Sequence, residues 1–170
     1  MTLGDITIRD YNQADESALV ELVRDLQRFE QPIYDRLVPP DQIGPWHIDL
    51  LKALNAQHAG SIRVAIRNGV AVGYATILTD VEVSEEPGEI TYCHAYLGEL
   101  FVAETERGNG VGQQLIADCE EIARRAGARW LRISALAGNA RARRIYAAYG
   151  FKEHVVTFEK PLQSLGETQP

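Results

Sequence analysis

The stretch Leu97-Gly98-Glu99-Leu100-Phe101-Val102-Ala103-Glu104-Thr105-Glu106-Arg107-Gly108-Asn109-Gly110-Val111-Gly112 decides how the chain folds. It closes a strand-like run that begins at Thr91, passes an acidic turn and opens a helix over 111–126. The apolar stripe of that helix is Leu115, Ile116, Cys119, Ile122, Ala123 and Ala126, and Gly127 is placed to end it. Between strand and helix, the glycines at 108, 110 and 112 let a ligand approach the backbone closely. Several N–H groups then turn toward one point, and the helix N-terminus adds partial positive charge. Arg107, Gly108, Asn109, Gly110, Val111 and Gly112 therefore read as a phosphate-binding cradle. No Lys-Ser or Lys-Thr follows the last glycine, which excludes a Walker A loop. Gly112 comes one residue too early for the dinucleotide motif Gly-x-Gly-x-x-Gly.

The segments before this stretch alternate between helix and strand signals. Ile6-Thr7-Ile8 reads as a short strand, and Leu19, Leu22, Val23 and Leu26 give a helix capped near Asn12 or Asp15. Residues 31–45 hold four prolines and a glycine and read as a loop; a less periodic helix follows over 46–57. Ile62, Val64 and Ile66 alternate, Asn68-Gly69 follows, and a strand resumes over 70–77. Asn-Gly between two such runs signals a hairpin, because its turn needs positive φ at both positions. Residues 81–89 read as an acidic loop. After the glycine turn and its helix come a strand over 130–134, a helix over 139–149 and a final strand over 151–158. The tail from Pro161 is polar. This order predicts a single α/β domain over 1–160 with a tail over 161–170, built as one mixed sheet with helices on both faces.

Composition narrows the function. The chain has 170 residues, 45% hydrophobic and 24% charged, which removes support for disordered, collagen-like and coiled-coil classes. No apolar run approaches a membrane span, and the N-terminus lacks signal-peptide features, so a soluble cytoplasmic protein is expected. A net charge of -7 argues against general nucleic-acid binding. Cys93 and Cys119 form no disulfide framework, and His47, His58, His94 and His154 show no metal-ligand spacing, so no metal is expected. Charge is polarised: residues 122–144 carry seven arginines and no acid, whereas 80–106 carry eight acids and no Lys or Arg.

A second motif, Asn139-Ala140-Arg141-Ala142-Arg143-Arg144-Ile145-Tyr146-Ala147-Ala148-Tyr149-Gly150-Phe151, completes the pattern. Arg-x-x-Gly-x-Gly on a strand-to-helix turn, then Asn-x-x-Ala-x-x-x-Tyr-x-x-x-Gly-Phe, resembles the GNAT superfamily of acyl-CoA-dependent N-acetyltransferases. The resemblance implies a mostly antiparallel mixed sheet with splayed central strands, and acetyl-CoA as cosubstrate. It implies that the turn from Arg107 through Gln113 holds the pyrophosphate. It also implies that the backbone at Leu100, Phe101 and Val102 pairs with the pantetheine arm, and that the Val102 N–H polarises the thioester carbonyl. Asn139 matches a residue that contacts the pantetheine or pyrophosphate region, and Arg143, with Arg141 and Arg144, faces the 3′-phosphate in this reading. Tyr146 matches the tyrosine near the CoA sulfur, where a phenol can donate to the departing thiolate. Tyr149 reads as packing.

The attacking amine is an ammonium at neutral pH and must lose a proton. The resemblance implies a carboxylate base on the fourth strand, and Glu99, the one carboxylate between Glu89 and Val102, is the first candidate. One base position of the resembling family falls on Tyr96, which is no carboxylate, so His94 and a water chain stay open as alternatives. Residues 1–50 hold ten acids and four arginines, which with the acidic 80–106 segment favours a cationic amine: a small amine, polyamine, aminoglycoside or lysine side chain. Tyr34, Trp46, His47, Tyr92 and Tyr96 are available to contact a cation. The resemblance allows a homodimer, although no exposed apolar stripe is legible. The second reading is a GNAT-fold module that binds acyl-CoA without turnover.

Overall fold

The computed structural model describes residues 5–83 and 90–162. The chain divides after Asn139 into two compact units. The first holds a five-stranded sheet in the order β1-β2-β3-β4-β5: Ile6–Asp10, Ser61–Arg67, Val70–Val83, Tyr92–Val102 and Leu131–Ile133. Every pairing is antiparallel except β4 with β5. Three helices belong to it: α1 (Glu16–Glu30), α2 (Pro45–Gln57) and α3 (Val111–Arg125).

Local chemistry accounts for most boundaries. Asn12 Oδ1 accepts the Ala14 N–H at 2.9 Å while Asp15 Oδ2 accepts the Asn12 N–H at 2.9 Å, so both expected capping residues act. Arg9 grips the same Asp15 carboxylate at 2.7 and 2.8 Å, and that hydrogen-bonded pair holds the carboxyl below its usual range. The hairpin turn sits at Asn68 and Gly69 with φ of 51° and 80°, as its Asn-Gly signal predicts. Strand β3 runs six residues past the expected end at Ile77. Thr79 and Asp80 lie opposite a single residue of β4, and both N–H groups turn to the His58 carbonyl at 3.0 and 3.1 Å. That bulge keeps an irregular segment inside the strand.

Adjacent residues of β3 show why helices cover both faces. A Cβ on Gly73 would stand 3.4 Å from Leu115 of α3. Tyr74, one residue on and pointing the other way, is fully buried with Leu19, Leu22 and Val23 of α1 and Ile48 and Leu51 of α2. Each such side chain removed from water contributes on the order of 1.5–3 kcal/mol before the entropy of ordering it.

Three expectations are corrected. The outer face of α2 carries an exposed apolar stripe of Trp46, Leu50 and Leu54, four residues apart. Ile48 and Leu51 are buried on the opposite side, so apolar residues on both faces blur the helical period. In the second unit, α4 spans Ala140–Tyr149, but residues 151–158 form no strand. Val155, Val156 and Phe158 have β-prone side chains, yet a strand is made by its ladder partners rather than by propensity, and none pairs with this segment. The expected acidic loop begins at Val81, but β3 continues to Val83, and its remainder at 84–89 lies outside the described residues.

Candidate active site

The irregularity of β4 creates the site. Leu97 pairs with Ile77 and Leu100 with Ala75, so Gly98 and Glu99 together face the single residue Thr76. The Glu99 N–H donates to Thr76 Oγ1 at 2.9 Å, and a Cβ on Gly98 would sit 2.8 Å from that same oxygen. Glycine is thus required where the strand folds over Thr76. This bulge turns the Glu99 carboxylate onto the α1/α2 side of the sheet. There the Tyr74 hydroxyl donates to Oε2 at 2.6 Å, and His47 Nε2 lies 2.9 Å from Oε1. Burial, with the Glu99 charge beside it, pushes the Tyr74 phenol well above its ordinary value, so it is a fixed donor. Glu30, the last residue of α1, is half-buried; burial first and the Glu99 charge second raise its carboxyl. Four side chains from four elements therefore converge: Glu30 of α1, His47 of α2, Tyr74 of β3 and Glu99 of β4.

Beyond the bulge, one edge of β4 pairs with no strand among the described residues. β5 is three residues long and pairs only with Ala95, Tyr96 and Leu97. On the other side, the Ala103 N–H donates to the Val72 carbonyl at 2.9 Å. Because backbone groups alternate sides along a strand, Phe101 also faces β3, whereas Leu100 and Val102 face the open edge. The splay between β4 and β5 expected from the resemblance is thus present. Of Leu100, Phe101 and Val102, the first and third present their backbone there, while the Phe101 side chain is buried in the core.

Arg107 opens the glycine turn with its side chain folded back onto β4. Its Nε donates to the Val102 carbonyl at 3.0 Å, and its guanidinium lies over the rings of Phe29 and Phe101 at 5.2 and 5.3 Å. The side chain thus braces the end of β4, leaving its backbone to the turn. Gly108 and Gly110 have φ of 85° and 78°, a conformation costing other L-residues about 1–2 kcal/mol. Gly110 is the N-cap of α3 and no side chain caps that end, so the N–H groups of Val111, Gly112 and Gln113 are left for another acceptor. A Cβ on Gly112 would be in contact with Val102 at 3.7 Å, which joins the turn to the strand. Asn109 completes the turn.

The remaining candidates have these local surroundings. His94 is buried on β4 between Tyr92 and Tyr96, ring centroids 6.3 and 6.5 Å away, in an aromatic row. The Asn139 N–H donates to the Leu136 carbonyl at 2.8 Å. In the second unit, Arg143 pairs with Glu153 at 2.5 Å on an exposed surface, and Tyr146 meets Phe151 edge-to-face at 6.0 Å. Cys119 is buried, its thiol pushed up to about 12, which leaves it inert packing; a hydrogen bond to Asp80 raises the exposed Cys93 thiol.

Sequence reasoning found Glu99 but not what holds it. Tyr74 reads as one more strand residue, and Glu30 as one of many acids in the first 50 residues. The available signal was that a tyrosine in an apolar strand needs a hydrogen-bond partner once buried. Naming the partner required the β3–β4 register.

Comparisons with known proteins agree with this geometry. Residues 21–151 match the profile of the acetyltransferase (GNAT) family. An aminoalkylphosphonate N-acetyltransferase of Salmonella typhimurium is 34% identical over 102 residues, 59% of this chain; this chain spans 62% of that relative's length. Among solved structures, a mutant protein of Bacillus halodurans superposes with a TM-score of 0.80 at 19% identity, covering 92% of this chain and 99% of that one. Aminoglycoside N-acetyltransferase AAC(6')-Iy in complex with CoA superposes with a TM-score of 0.69 at 23% identity, covering 94% and 96%. With the family profile covering most of its length, and a mixed sheet splayed beside a glycine turn, the chain belongs to the GNAT family of acetyltransferases.

Proposed function

We propose that the protein transfers the acetyl group of acetyl-CoA to a cationic primary amine by direct attack within a ternary complex. The observation that carries this reading is the order of features along one strand: Glu99 at the bulge, an open backbone edge at Leu100 and Val102, and then the uncapped glycine turn. The glycines fit the cosubstrate, since positive φ at 108 and 110 and the lack of a side-chain cap leave room and donors for a pyrophosphate. Backbone N–H groups of Val111, Gly112 and Gln113 hold the diphosphate, and Leu100 and Val102 bind the arm as an added strand. When bound, acetyl-CoA supplies an activated thioester. The Val102 N–H is aimed to donate to its oxygen as negative charge develops. Glu99 anchors the acceptor ammonium and its proton loss; the amine then attacks, the C–N bond forms and the C–S bond breaks. Tyr146, by its match to the family tyrosine, donates a proton to the departing thiolate. Asn139 and Arg143 keep the cosubstrate-binding roles that the family motif gives them.

An amine acceptor is supported by the names of the Salmonella relative and of the aminoglycoside enzyme. A positive charge on it is supported by Glu99 and Glu30 meeting on one side of the sheet. The test is release of CoA thiol from acetyl-CoA with a polyamine, an aminoglycoside, an aminoalkylphosphonate, neutral amino acids and a lysine peptide. Cationic amines are expected to be turned over with a KM that rises with salt. A preference for neutral amino acids, or a KM indifferent to salt, overturns the cationic acceptor. Failure of acetyl-CoA to bind in calorimetry overturns the acetyl transfer itself.

A further inference from the structure

We propose that His47 takes up the proton that the acceptor amine loses, on the ring nitrogen turned away from Glu99, while Glu99 holds the ring and steadies its charge. The inference rests on reading the site as an amine acetyltransferase. It starts from the hydrogen bonds around one carboxylate. Tyr74 donates to Oε2 at 2.6 Å and His47 Nε2 lies 2.9 Å from Oε1, so each oxygen of Glu99 already has a partner. Even an ordinary carboxylate takes a proton from an alkylammonium about a millionfold uphill, and an imidazole about a hundredfold less so. The better proton acceptor at this position is the ring beside Glu99.

The surroundings leave that role to His47. Tyr74, from β3, is fully buried and stays a neutral donor. Glu30, from the end of α1, faces Glu99 as a half-buried carboxyl that holds its proton more tightly than usual. On α2 itself, Asp49 and Lys52 pair with each other at 3.1 Å, and the Trp46 ring packs edge-on against the imidazole at 5.4 Å. The His47 side chain retains 16% exposure, so the ring is held on one side and reaches water on another.

The proton balance is simple. Before reaction Glu99 is ionised and His47 neutral, its Nε2–H donating to Oε1. One N–H bond of the ammonium breaks, the electron pair stays on nitrogen for the attack, and the pair gains one proton. The added proton reaches Nδ1, the ring nitrogen left free in this tautomer, through water and forms an N–H bond there; the Nε2–H still donates to Glu99, whose charge stabilises the imidazolium, and Nδ1 then releases the proton to water. The two groups share a hydrogen bond, so a change in one alters the surroundings of the other. Histidine ordinarily changes charge between pH 5 and 8, so kcat/KM falls on the acid side as the pair fills with protons.

His47→Gln separates this role from mere support, since its amide can still donate to Glu99 but cannot titrate in this range. The expected result is a roughly 100-fold lower kcat/KM, loss of the acid limb of the pH profile, unchanged affinity for acetyl-CoA, and rescue of His47→Gly by imidazole in the buffer. A His47→Gln enzyme with the wild-type rate or an unmoved acid limb overturns the proposal. A second readout does not depend on turnover. In the NMR titration of the four histidines, the signal lost in His47→Gln should titrate at lower pH in Glu99→Gln, because the carboxylate that favours its charged form is gone. An identical titration in the two proteins overturns the pair. If no amine is acetylated by the wild type while the coupling is present, the failure lies with the acceptor reading and not with the pair.

Discussion

At the scale of single residues, the proposed reaction sets opposing requirements on Glu99. It must stay ionised to hold an ammonium, yet its side chain is only 23% exposed. Tyr74 reconciles the two: a phenol locked in its neutral form supplies a hydrogen bond in place of lost water. Removing that donor with Tyr74→Phe should lower stability by about 1–2 kcal/mol, as expected for a hydrogen bond to a charged and partly solvated group. Urea denaturation measures it, and acetyl-CoA affinity should not change. Glu99→Gln keeps the shape but not the charge. Thiol release with a cationic amine should then fall by about 100-fold or more, with calorimetric affinity for acetyl-CoA intact.

At the scale of elements, two departures from regularity do the positioning. The β4 bulge puts two residues opposite Thr76 and so aims Glu99, and the short β5 leaves the next part of β4 with an open edge. Arg107 links that edge to the glycine turn by holding the Val102 carbonyl, while two aromatic rings flank its guanidinium. The turn itself depends on backbone that side chains resist. Gly110→Val forces a β-branched residue to φ near 78°, at the end of α3 where donors must remain open. Acetyl-CoA binding should be lost by calorimetry, while the melting temperature drops only a few degrees because the position lies on the surface. Retained affinity would assign the turn to folding alone.

At the scale of the whole molecule, the Glu30 carboxylate acts against the stability of the fold. Glu30 holds its proton more tightly in the folded chain than in the unfolded one, through burial and then through the charge of Glu99. Its ionisation therefore costs stability, and the loss develops as pH rises from the ordinary carboxylate range through the raised value. Glu30→Gln should melt higher than the wild type at pH 7 to 8, with the advantage fading toward pH 4. Its half-buried position keeps the gain modest. A variant equally stable at all pH values would place Glu30 in ordinary solvent.

The sequence by itself determined what depends on local rules: the Asn12–Asp15 cap, the Asn68-Gly69 turn, the glycine turn before α3 and the family that its two motifs resemble. Glu99 was also legible, because no other carboxylate lies on its part of the strand. Its partners were not, since His47 is 52 residues away and Tyr74 25 residues away along the chain. Their meeting depends on register across β3 and β4 and on the packing of α2 against the sheet, neither of which has a local signature. The expected strand at 151–158 fails for the same reason, because period two is a property of a segment and a ladder is a property of its neighbours. Hydrogen-bond geometry at a carboxylate is decided only when separate elements converge, and that convergence belongs to the tertiary structure.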